Sequence, residues 1–158
     1  MTDERKKEFT LRITQANASG LVVILYEMFL AYLEDAEASL AAGKETEYKR
    51  DLRNTRGCLE ELMCSLHPEY EIAGNLMSLY LYVNRMLIQA QIKKDVTYLK
   101  QAESVMRPLC EVYRTVSAQD TSQPLMQNTQ TVVAGMTYGR DSLHENMEDQ
   151  GASRGYFV

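Results

Sequence analysis

Tryptophan is absent from the 158 residues, and histidine (two), proline (three), phenylalanine (three) and cysteine (three) are scarce. Each shortage excludes a class of chemistry. His67 stands beside Pro68 and His144 stands alone, so neither has a metal-ligand partner. Cys58, Cys64 and Cys110 are an odd number at no metal-ligand spacing, each within a helical pattern. They predict free, buried thiols in a reducing cytosol, not a disulfide framework or a zinc site. No Gly-rich phosphate loop occurs, and no nucleophile sits on a recognisable turn. Glu27, Glu69 and Glu71 lack the inward Glu and Glu-x-x-His pattern of a di-iron bundle. No apolar run reaches the ~20 residues of a membrane span: Leu21 to Leu33 is short and holds Glu27. The stretch MTDERKKEF is charged and lacks the apolar centre of a signal peptide. A formal charge of −5 argues against a general binder of nucleic acid or anionic membrane. The expectation is a cytoplasmic protein that is not an enzyme and uses no cofactor or metal.

Hydrophobic content of 45% and charged content of 25% are ordinary for a folded domain, and the length suits one core. Apolar residues recur at three- and four-residue steps through most of the chain, which predicts helices. The first long helix starts at Asn17, a good N-cap, and stops at Gly43, a good left-handed C-cap. Glu27 falls at the edge of its stripe, pointing to solvent. The second helix spans Thr46 to Leu66, with one narrow stripe of Tyr48, Leu52, Thr55, Leu59, Leu62 and Leu66. Its basic run Lys49, Arg50, Arg53 and Arg56 reads as a solvated face rather than a phosphate site. His67-Pro68 breaks the chain. Glu71 to Ser117 then forms two helices joined by a Lys93-Lys94-Asp95 turn, with Pro108 inside the second. Short loops predict antiparallel neighbours. The fold class is therefore all-α: an antiparallel up-down four-helix bundle over 1–117, with an N-terminal arm and a C-terminal extension, 118–158, holding a short helix. In the arm, Phe9, Leu11 and Ile13 alternate with polar residues, which predicts an extended segment lying in a groove. In the extension, Pro124 to Ala134 has helical spacing.

The last two bundle helices each carry a surplus apolar row. Ile72, Leu76, Leu79, Val83, Leu87 and Ala90 make the first stripe of one, with Ala73, Met77, Leu81 and Ile88 beside it. Leu99, Ala102, Met106, Leu109, Tyr113 and Val116 make the first stripe of the other, with Tyr98, Val105 and Val112 beside it. One stripe builds a helix pair; a second must be buried elsewhere or receive a partner. Ten tyrosines, several in these helices, suit half-buried partner grooves.

The ordered set Asn75, Leu76, Leu79, Tyr80, Tyr82, Asn84, Arg85, Leu87, Ile88 and Ala90, then Lys94, Asp95 and Tyr113, resembles the flagellar secretion chaperone FliS family. The family usually has Trp where Tyr113 stands. Ala16-Asn17-Ala18-Ser19-Gly20 also lacks the proline and acidic first turn of the family's Thr-Ala-Ser-Pro-Glu-Lys. The resemblance covers roughly Ile13 to Ser117. It implies a cytosolic chaperone that binds the disordered C-terminal segment of flagellin, prevents premature polymerisation and delivers it to the flagellar export gate. It also implies a movable N-terminal segment.

The expected partner-binding residues are Phe9, Ile13, Met77, Leu81, Ile88, Tyr98, Val105 and Val112. Leu125, Val132 and Met136 are expected to form a self-ligand tail that folds back onto the groove. The alternative is a client-free structural or adaptor bundle, such as a homodimer whose surplus stripes meet.

Overall fold

A computed structural model describes residues 1–126. Among them the chain forms α1 (Asp3–Gln15), α2 (Ala18–Ala41), α3 (Glu45–Cys64), α4 (Glu71–Lys93) and α5 (Val96–Gln119), and no strand. Local chemistry sets the boundaries. The Asn17 side chain accepts from the Gly20 amide at 2.9 Å and starts α2. Gly43 (φ 69°) ends it: the Lys44 amide donates to the Ser39 carbonyl and the Gly43 amide to that of Leu40, the paired bonds of a Schellman stop. Lys94 takes a left-handed conformation (φ 52°) after α4, and Asp95 caps α5 by accepting from the Thr97 amide at 2.9 Å.

The helices α2 to α5 close a ring in which each packs on the next and α5 returns to α2. Ion pairs Glu27–Arg114, Glu34–Arg107 and Glu37–Lys100 show that α2 and α5 run antiparallel, since one series ascends as the other descends. Inside the ring lie Phe29, Leu33, Leu52, Leu59, Leu62, Val83, Leu87, Leu99 and Met106, all fully buried. Each contributes on the order of 1.5–3 kcal/mol by leaving water. Asp51 is also buried, which the apolar stripe does not anticipate. Its carboxylate accepts from Ser39 Oγ at 2.8 Å and from the Arg50 guanidinium at 3.0 Å, so the charge is paired. Tyr48 donates its hydroxyl to the Ala90 carbonyl at 2.7 Å and ties α3 to α4.

Several expectations need correction. The N-terminal segment is a helix, not an extended arm. Thr2 caps it by accepting from the Arg5 amide, Asp3 and Glu4 favour its first turn and Arg12 its last. Phe9 and Ile13 are four apart and share a helical face, whereas Leu11, the third member of the alternation, is 58% exposed. Glu27 does not point freely to solvent but holds Arg12 and Arg114. Cys64 is exposed, because it is the last residue of α3 and lies off the buried row. Cys58 and Cys110 are buried; burial pushes the Cys58 thiol up to about 12 and raises that of Cys110. The inward row of α4 is Ala73, Leu76, Tyr80, Val83, Leu87 and Ala90, while Ile72 (63%) and Leu79 (39%) face out.

Candidate functional site

The two outer flanks of α4 can be told apart by what each touches. Lys93 Nζ lies 5.6 Å above the Tyr98 ring of α5. Leu79, Tyr82 and Met86 lie on the same row as Lys93, at steps of three, four and seven, so this flank faces α5. Across from it, Val105, Leu109, Val112 and Val116 continue the row of Tyr98 along α5. Tyr82, Met86, Tyr98, Val105 and Leu109 are half-buried against the core. Leu79, Val112 (59%) and Val116 (52%) remain exposed. The result is an apolar groove between α4 and α5, about 27 Å long from Tyr98 to Val116 at the helical rise of ~1.5 Å per residue.

Arg56 of α3 donates from Nε to Asn84 Oδ1 of α4 at 3.3 Å. Met77, Leu81 and Ile88 lie seven, three and four residues from Asn84, hence on the flank that faces α3. Leu81 is 49% exposed; Met77 and Ile88 are half-buried. The structure therefore brings Tyr98, Val105 and Val112 together in one groove and places Met77, Leu81 and Ile88 on the opposite side of α4.

Phe9 and Ile13 occupy a third place. They pack on α2, where Phe9 sits against Ile24, Ala31 and Met28 in a small cluster separate from the main core. The guanidinium groups of Arg5 and Arg12 lie 6.0 and 5.6 Å from the Phe9 ring. They also reach Glu34 and Glu27, the two carboxylates that α5 approaches with Arg107 and Arg114. Sequence reasoning missed this shared ladder, although arginines four before and three after Phe9 are a readable sign that all three share a face.

At the end of the bundle a pocket of ≈ 460 Å³ opens between the start of α2, the end of α3, the start of α4 and the end of α5. Tyr80 and Tyr113 line it. Behind them the Tyr26 and Tyr80 hydroxyls are hydrogen-bonded, and Tyr113 stacks on Tyr26 at 5.3 Å. Burial, then the Tyr80 bond, pushes the Tyr26 hydroxyl far up, and burial pushes Tyr80 up to about 12, so the pair is neutral. Ile72 and Leu125 stand at the rim. Leu125 is held there because residues after α5 return to α2: Asn17 Nδ2 donates to the Ser122 carbonyl, Ser19 Oγ to Asp120, and the Leu125 amide to the Ala16 carbonyl. Val132, Met136 and most of the expected tail helix lie outside the described residues.

The shifted pKa values inside the bundle belong to buried structural tyrosines and thiols, which are raised by loss of water. Among the described residues no group of three or more His, Cys, Asp or Glu is placed to hold a metal ion, and no helix is long and apolar enough to cross a membrane. What the arrangement offers is apolar relief on a rigid helical frame, which suits binding a polypeptide.

Residues 1–120 match the family described as Flagellar protein FliS. The flagellar secretion chaperone FliS of Escherichia coli (strain K12) is 27% identical over 105 residues, covering 65% of this chain and 77% of that protein. The flagellar secretion chaperone FliS of Bacillus subtilis (strain 168) is 22% identical over 102 residues, with the same two coverages.

Proposed function

We infer the function from one premise: the chain belongs to the FliS family, a family of flagellar secretion chaperones and not of enzymes. We propose that it is a cytoplasmic export chaperone that binds the C-terminal segment of flagellin in the α4–α5 groove. There it keeps the subunit from polymerising early and hands it to the flagellar export gate. The exposed row of Leu79, Val112 and Val116 carries this reading. Full burial of a valine or leucine side chain is worth about 1.5–3 kcal/mol, so each of these half-covered residues still offers roughly 1 kcal/mol to a partner. An amphipathic segment that folds on the groove would draw on that gain to offset its own ordering.

Phe9 and Ile13 belong to the same reading as a movable cover. The α2 row of Ile24, Met28 and Ala31 beneath them would receive more of the client once α1 leaves. Leu125 would be the start of the self-ligand, and residues 118–158 an extension of the bundle.

The test is titration of a fluorescent flagellin C-terminal peptide into the full chain, with mass by light scattering. A one-to-one complex is expected, weakened at least tenfold by Val112→Asp with the helical circular-dichroism signal intact. A spin label at Thr10 should gain mobility on saturation. Equal affinity in Val112→Asp would exclude the α4–α5 groove. A homodimer that ignores the peptide would favour a client-free bundle.

A further inference from the structure

The α3–α4 side of the bundle has a different chemistry from the α4–α5 groove. We propose that it is a second docking surface, and that its occupant is an acidic amphipathic helix of another protein. Its α4 wall is the apolar row Met77, Leu81 and Ile88. Its α3 wall is basic: Lys49, Arg53 and Arg56, with Gly57 and Glu60, border a depression of ≈ 360 Å³ that Gln91 closes on the α4 side, three residues beyond Ile88. Three cations against one carboxylate make a local charge of +2, on a chain whose formal charge is −5.

That positive charge is poorly neutralised within the chain. Lys49 faces Glu45 at 3.2 Å, but Lys94 approaches the same carboxylate oxygen at 2.9 Å. Arg56 bonds the neutral amide of Asn84. Arg53 has no ion pair among the described residues. Carboxylates arriving from outside would meet guanidinium groups able to form charge-assisted hydrogen bonds.

Gly57 is the second, independent observation. Glycine is among the poorest helix formers, yet this one lies well inside α3. Its backbone is not left-handed, and an added Cβ would meet nothing within 4 Å. Neither conformation nor packing inside the chain therefore calls for glycine. A missing Cβ on an open helix surface admits close approach by another backbone. Gly74, equally open, begins the Met77–Leu81 row on the facing helix.

The length of the apolar row suits a helix as occupant. Met77, Leu81 and Ile88 stand at helical steps and span about 16 Å, roughly three turns. A helix with apolar residues at i, i+4 and i+11 would seat on them, with Asp and Glu on its flank beside Arg53 and Arg56. The two grooves lie on opposite flanks of α4, so this surface stays open when the α4–α5 groove is filled.

The probe is a labelled 14-residue helical peptide with leucines at those steps and glutamates between them, added to the full chain. Saturable binding is expected, weakened at least tenfold by Arg53→Glu or Arg56→Glu and weakened by salt. The same peptide with lysines should not bind. Gly57→Ala should raise Tm by about 3 °C while weakening the peptide several-fold, two changes of opposite sign that a purely structural glycine would not produce. Val112→Asp should leave this peptide unaffected, which separates failure here from failure of the flagellin groove. Equal binding of both peptides, full affinity in Arg53→Glu, or unweakened binding in Gly57→Ala would overturn the proposal. Binding of anionic phosphatidylglycerol vesicles but not the acidic peptide would assign the basic row to lipid and equally overturn it.

Discussion

Replacing Phe9 by alanine should detach α1 without unfolding the bundle. Phe9 is the one buried residue of α1, at 5% exposure, and it sits in a cluster with Ile24 and Ala31 that is separate from the main core. The other anchors are polar or partial: Ile13 is half-buried, Arg12 pairs with Glu27 at 2.6 Å, the Met1 ammonium bonds Asp35, and Arg5–Glu34 at 3.9 Å is an exposed pair worth well under 1 kcal/mol. The substitution removes about 2–3 kcal/mol of apolar burial. The cavity penalty of an interior Phe→Ala is small here, because a surface helix can shift to close the gap. At 1.4 kcal/mol per tenfold, the docking equilibrium of α1 falls by about 30- to 140-fold. Hydrogen exchange read by mass spectrometry should show peptides from residues 3–15 exchanging faster by that factor, with α2 to α5 unchanged. Leu11→Ala, at a site 58% exposed, is the control and should change nothing. Unaltered protection of α1 would mean that the ion pairs hold it. Loss of protection across α2 to α5 would mean that Phe9 belongs to the main core. Either result refutes the reasoning.

Lys94→Gly should raise Tm by a few degrees, because it relieves a left-handed non-glycine residue at a cost of one half-exposed ion pair to Glu45. Lys94→Ala, which keeps the strain and loses the pair, should lower Tm; thermal melts that rank the two the other way would refute this. Hydrogen bonds from Ser122 and Ser19 lower the Asp120 carboxyl from its ordinary 3.8 to about 2. A depressed carboxylate stabilises the folded form above its unfolded pKa and loses that effect as pH falls through the folded value. The Asp120–Leu125 strap should therefore loosen between about pH 4 and 2, read as faster exchange of the Leu125 amide, and Asp120→Asn should abolish the pH dependence. Ending the chain after Ala118 takes Leu125 from the rim of the end pocket and should increase binding of an apolar dye; unchanged fluorescence would show that Leu125 covers nothing.

Much of the fold is legible because helix ends are written in local chemistry. Asn17, Gly43 and Asp95 each act on a backbone group within five residues, so no tertiary information is needed to place them. The stripe of α3 is equally local: Tyr48, Leu52, Thr55, Leu59 and Leu62 are all buried as their spacing requires. The first segment was harder. Phe9, Leu11 and Ile13 satisfy a two-residue period, while Phe9 and Ile13 alone satisfy a helical one. The decision falls to the cap at Thr2, the acidic first turn and the arginine ladder to Glu27 and Glu34. Asp51 was illegible for another reason. A carboxylate is buried only where partners meet it, and Ser39 comes from a different helix.

The site was half legible for a reason built into helical bundles. A stripe along α4 tells which row is inward, and hence which residues flank it, but a helix in a ring of four has two flanks. Nothing in the spacing of Met77, Leu81 and Ile88 says whether they turn toward α3 or α5. Two contacts between helices decide it: Arg56 on Asn84, and Lys93 over Tyr98. Both need the ring to be closed before they exist. Once it is closed, the surplus apolar surface divides. Leu79, Val112 and Val116 belong to a groove walled by apolar residues. Leu81 belongs to a face whose other wall is cationic. A single client spread over all of these residues would have to cross the exposed ridge of α4, where Ser78 and Arg85 offer little apolar contact. Two occupants of different charge, one on each flank, meet no such barrier. The opposite responses expected of Val112→Asp and Arg53→Glu toward the two peptides are the direct measure of that division.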